Sequence, residues 1–128
     1  MVNYKLQRLA MYSYEIENIL KHNKRFRGVY SLNNIPLISN GDLVINLDTS
    51  NNNGSHWVAM KITDYELFYF DSLKLPMNIL LTNYISHLNK THLYINRDTF
   101  QKHLEVNCGE FVVLFLSFPH LIKFNKIY

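Results

Sequence analysis

Among its 128 residues the chain carries one cysteine, Cys108. That scarcity excludes an internal disulfide and any zinc site built from several cysteines, and a lone thiol fits a reducing compartment. Charge is also sparse: charged residues are 18% of the chain against 48% hydrophobic, which argues against disorder. Long apolar runs are missing. The longest, Phe111 to Leu116, falls far short of the roughly 20 residues that span a bilayer. The first ten residues, MVNYKLQRLA, are too polar for a signal peptide. There is no internal repeat and no linker. The expectation is one domain over residues 1–128, without a membrane partner, soluble and inside a cell.

The balance of charge is mildly basic, +3 with a pI near 9.0. An ordinary soluble surface accounts for that. The sharper reading is contact with nucleic acid through the segment Lys21 to Arg27, where Lys24, Arg25 and Arg27 flank Phe26.

Apolar spacing predicts an amphipathic helix over 5–20, with Leu6, Leu9, Tyr12, Ile16, Ile19 and Leu20 on one face. Gly28 and Pro36 then punctuate a loop. Strands are expected at 43–47, 56–62 and 67–70, joined by an Asn/Gly turn at 51–54 and a tight turn at 64–66, as a meander of neighbours. Pro76 can open a helix to about Asn89 with Ile79, Leu80, Tyr84 and Leu88 inward. A further strand fits 92–96. Residues 109–118 form a helix apolar nearly all round, hence buried, and Pro119 stops it.

Four side chains stand out against this frame. Cys108 directly precedes the buried helix, where unpaired N–H groups and the positive dipole end favour a thiolate. It can equally be a small apolar core residue. Gly109 permits close approach of a substrate backbone. His56 opens a strand after a loop and can serve as a base. Its neighbour Trp57 either packs behind the imidazole or forms a cleft wall. Asp71 ends the next strand, 15 residues later. If the two strands pair antiparallel, its carboxylate can accept the second imidazole proton; otherwise it is a turn-forming aspartate. Gln101, seven positions before the cysteine, is either a solvated side chain or an oxyanion donor, a group typically worth about 3 kcal/mol of barrier. A thiol, an imidazole, a carboxylate and an amide are the parts of a cysteine hydrolase.

These motifs, Gly54-Ser55-His56-Trp57, Phe70-Asp71 and Gln101 to Cys108-Gly109 before an apolar helix, resemble the adenain-like cysteine proteases. These are maturation endopeptidases of adenoviruses and of virophage- and transposon-like elements, within the clan of the ubiquitin-like-specific proteases. Lys24 to Val29 resembles that family's Lys-Arg-Phe-Pro-Gly segment, and the likeness covers roughly residues 15–118. It implies an α+β fold with a central mixed or antiparallel sheet flanked by helices, papain-like but permuted. It implies His56 as base, Asp71 as its orienter, Cys108 as nucleophile and Gln101 as oxyanion donor, with Trp57 and Gly109 at the substrate. Capsid or other virion precursors would be the substrates, in the virion or the host-cell interior. The protein would act as a monomer with no cofactor or metal, and with DNA as a conceivable activator. The chain departs from adenain in three ways: it has Asp71 where adenain has Glu, it is shorter at the C-terminus, and it lacks the second cysteine that joins adenain to its activating peptide. Removal of a ubiquitin-like modifier, acyl transfer by the same triad, and a non-enzymatic basic nucleic-acid module are the alternatives.

Overall fold

The computed structural model describes residues 11–47, 56–100 and 108–128. In chain order the described elements are α1 (Ser13–Leu20), β1 (Phe26–Ser31), β2 (Gly41–Asn46), β3 (Trp57–Ile62), β4 (Glu66–Phe70), α2 (Ile79–Leu88), β5 (His92–Asn96), α3 (Cys108–Ser117), a 3-10 turn at Pro119–Leu121, and β6 (Phe124–Lys126). The six strands form one open mixed sheet in sequential order. β1 is parallel to β2, β2–β3–β4 run antiparallel, β5 is parallel to β4, and β6 returns antiparallel beside β5. The architecture is α+β.

Alternation along the central strands separates two cores. Val44, Trp57, Ala59 and Phe70 face α1 and α3, packing with Ile16, Leu20, Val112, Phe115 and Leu116. Leu43, Ile45, Val58, Met60, Leu67 and Tyr69 face α2, packing with Leu81, Tyr84 and Ile85. Both faces are therefore covered. That explains why Leu43-Val44-Ile45 is a continuous apolar run rather than an alternating one.

Several expectations need correction. Phe26–Ser31 is a strand, not part of a loop. Gly28 sits inside it at φ +122°, at an irregularity in register between Phe26 and Val29, so the glycine signals a bulge. Residues 11 and 12 are not helical, and α1 begins at Ser13, with Glu15 reaching back to accept from the Tyr12 N–H at 2.8 Å; residues 5–10 of the expected helix lie outside the described residues. α2 starts at Ile79 rather than Pro76, because the Asn78 side chain caps it by accepting from Leu80 N–H at 2.8 Å. That start exposes Ile79 and Leu80 and buries Leu81, Tyr84 and Ile85. Strand β6 (Phe124–Lys126), which no apolar pattern after Pro119 signals, adds an edge to the sheet beside β5. Among the described residues no helix is long and apolar enough to cross a membrane.

Candidate active site

The register of β3 against β4 brings the site together. Ala59 pairs with Phe70, so the residue just before β3 lies beside the turn that leaves β4. His56 occupies the first position and Asp71 the second. His56 Nε2 lies 2.6 Å from Asp71 Oδ1, with the two side chains 11% and 2% exposed. His56 is also hydrogen-bonded to Cys108. α3 packs across β3 and starts at Cys108, so the sulfur sits at the helix N-terminus, where first-turn N–H groups have no intrahelical partner. The main-chain N–H of Trp57 also donates to Cys108 Sγ, at 3.3 Å.

Burial by itself would lower the basicity of His56. The hydrogen bonds to Asp71 and Cys108 and the negative charge of both partners outweigh it, and raise the imidazole from 6.5 to about 9. These contacts favour the imidazolium form of His56 at neutral pH.

Asp71 is fixed from three sides. Its Oδ1 also accepts from Leu73 N–H at 2.9 Å, and its Oδ2 accepts from Leu75 N–H at 3.0 Å. The strap between them turns through Lys74 at φ +53°. Behind it, the Asn96 side chain bonds the Asp71 main chain twice, at 2.9 Å each way. Burial, with a contribution from the charge of Asp71, pushes the nearby Tyr69 phenol far above its ordinary range, so it stays neutral.

Other candidate residues fall elsewhere. Trp57 is 3% exposed, and its indole Nε1–H donates to Met11 O at 3.0 Å; its side chain is core, not a cleft wall. Gly109 is buried too. A Cβ there would lie 2.9–3.0 Å from Met11 side-chain atoms, so Met11 packs directly against this glycine. Gln101 lies outside the described residues.

The basic segment is also partly internal. Arg25 donates to the fully buried Asp42 at 3.1 Å, to Asn40 Oδ1 at 2.8 Å and to Ile62 O at 2.6 Å. Lys61 joins the same carboxylate at 3.0 Å. Arg25 is therefore better explained as the partner of a buried acid than as a phosphate contact. Lys24 and Arg27 are exposed, and Arg27 donates to Lys24 O at 2.9 Å. Among the described residues no group of three or more His, Cys, Asp or Glu side chains is placed to hold a metal ion.

Reasoning from sequence missed Met11, Asn96 and the Leu73 and Leu75 N–H groups. Only the Asp71-Ser72-Leu73 stretch carried a signal, that of an Asx turn. In comparisons with known proteins, no family model matches the chain and no curated protein is significantly similar to it.

Proposed function

We propose that the protein is a thiol hydrolase that cleaves peptide bonds, with Cys108 as nucleophile, His56 as acid and base, and Asp71 holding the imidazole. The observation that carries this reading is the single chain of contacts from the Asp71 carboxylate through the His56 ring to a sulfur at a helix N-terminus. A buried structural cysteine requires neither a protonated imidazole nor a carboxylate behind it.

In the proposed reaction the Cys108 thiolate attacks the scissile carbonyl carbon, and the carbonyl π pair moves to oxygen. The N–H groups at the start of α3 face the developing oxyanion, together with Gln101 as the resemblance to adenain implies. The imidazolium of His56 gives its proton to the leaving nitrogen as the C–N bond breaks. Neutral His56 then takes a proton from water, which attacks the thioester and releases a carboxylic acid and the thiolate. Asp71 keeps one ring nitrogen protonated throughout and does not itself transfer a proton.

The finer reading, an endopeptidase acting on capsid or other virion precursors, rests on the resemblance of the motifs around His56, Asp71, Gln101 and Cys108 to adenain-like proteases. It also covers the expected monomer, the virion or host-cell setting and DNA as an activator. The nucleic-acid-module alternative is the weaker one, because Arg25 is committed to Asp42.

The test is reaction with chloroacetamide at pH 7, followed by peptide mapping, alongside hydrolysis of a mixture of denatured proteins read by mass spectrometry. Rapid labelling of Cys108 that collapses in His56→Ala, with cleavage products absent from Cys108→Ala, is the expected result. Labelling indifferent to His56, or identical digests from both proteins, would overturn the proposal.

A further inference from the structure

We propose that Asn96 is a positioning residue for this site: its buried side-chain amide clamps the Asp71 main chain and so holds the carboxylate on His56. The inference rests on the hydrolase reading above. Asn96 ends β5 and is fully buried. The parallel ladder between β4 and β5 runs to the pair Tyr69–Ile95, so Asp71 stands just past its end. Asn96 supplies the missing rung from its side chain. Its Oδ1 accepts from Asp71 N–H and its Nδ2 donates to Asp71 O, each at 2.9 Å. The second Nδ2 hydrogen goes to Asp98 O, also at 2.9 Å.

This bidentate pairing demands an amide. An aspartate at 96 has no N–H to give, and a leucine has neither donor nor acceptor. The clamp also joins two parts of the chain that must stay in register. One is the turn carrying Asp71, whose next residue Ser72 accepts at its carbonyl from Phe100 N–H at 2.9 Å. The other is the segment after β5, from which the chain continues towards Cys108. The Leu73 and Leu75 N–H groups orient the carboxylate within its own turn, and Asn96 orients that turn on the sheet. Because the Nε2–Oδ1 contact is 2.6 Å, displacement of the turn by a fraction of an ångström weakens it directly. Asn96 is placed to act on the sulfur only through Asp71 and His56; the ionisable groups bearing on His56 are Asp71 and Cys108.

The experiment compares wild type, Asn96→Ala, Asn96→Ser and Tyr84→Phe. Tyr84 lies on the opposite face of the sheet, where its hydroxyl donates to Pro36 O at 2.8 Å, and serves as a control for general destabilisation. The readouts are the His56 ring titration by NMR and the rate of Cys108 alkylation at pH 7. Asn96→Ala is expected to lower the His56 midpoint by at least one unit and to slow alkylation at least fivefold. Asn96→Ser, which keeps one polar atom, is expected to fall between it and wild type, and Tyr84→Phe to change neither. If Asn96→Ala does not fold, Asn96→Ser decides by the same two readouts. A folded Asn96 variant with wild-type titration and alkylation overturns the inference while leaving the hydrolase reading intact. Failure of the hydrolase reading has a different mark: His56→Ala would then leave Cys108 labelling unchanged.

Discussion

Replacing Asp71 by asparagine is the most direct probe of the relay. The substitution is nearly isosteric, yet it removes the charge and turns one acceptor into a donor. In the wild type all three neighbours of the carboxylate are donors: His56 Nε2, Leu73 N–H and Leu75 N–H. An asparagine offers one oxygen and one NH2. Whichever way it is turned, at least one donor faces another donor, at a cost of about 1 kcal/mol where that donor is the part-buried Leu75 N–H and more where it is His56 Nε2. The larger effect falls on His56. Burial opposes its charge, and the Asp71 contacts are the largest of those that raise it to about 9. That elevation corresponds to on the order of 3 kcal/mol in favour of the imidazolium. With Asp71→Asn the contribution of that carboxylate disappears, and burial shifts the ring towards its neutral form at pH 7. The sulfur then loses its cationic neighbour. The alkylation rate of Cys108 at pH 7 should fall at least tenfold, with the melting transition still cooperative. A folded Asp71→Asn protein that alkylates within twofold of wild type at pH 7 would refute the reasoning.

Three other outcomes follow from the same structure. Because the folded-state value of His56 lies above its unfolded value of 6.5, its contribution to stability is complete below pH 6.5 and is lost as pH rises through about 9; denaturant melts at pH 6 and pH 9.5 should differ by on the order of 3 kcal/mol more in wild type than in His56→Gln. Gly109→Ala places a methyl group against Met11; calorimetry should show a loss of about 1 kcal/mol, overpacking outweighing the gain in helix propensity, and the Met11→Ala background should reverse its sign. Asn89 closes α2 in the left-handed region at φ +52°, so Asn89→Ala should cost about 1 kcal/mol in thermal unfolding and Asn89→Gly should cost nothing measurable.

The geometry around the cysteine was legible in the sequence because it depends on local patterns that add up. A turn of Asp64 and Tyr65 between two short strands dictates antiparallel neighbours, which puts the start of one beside the end of the other, hence His56 beside Asp71. An apolar run after Cys108-Gly109 dictates a buried helix with the sulfur at its head. What escaped depends on partners distant in sequence. Nothing near Arg25 announces that Asp42 is buried and needs a cation, since that follows from β1 lying parallel to β2. β1 itself was hidden by Gly28, whose positive φ breaks the pattern that identifies a strand. Trp57 looked available for substrate because only the packing of Met11 and α3 on its face of the sheet fills the space around it. In α2 Tyr84 is inward as the spacing implies, but Leu81 and Ile85 are buried with it in place of Ile79 and Leu80, because the unbroken run Ile79-Leu80-Leu81 does not show which of the three meets the sheet. Asn96 carried no signal, for one buried asparagine at a strand end is indistinguishable in sequence from a solvated one.

The Trp57 main-chain contact to the sulfur has a mechanical consequence. His56 and Trp57 are consecutive, so the imidazole and a peptide donor approach Cys108 from one short stretch of backbone at the mouth of β3. Sliding α3 along the sheet therefore disturbs both contacts at once, and the reactivity of the thiol reports how firmly that helix is seated on β3.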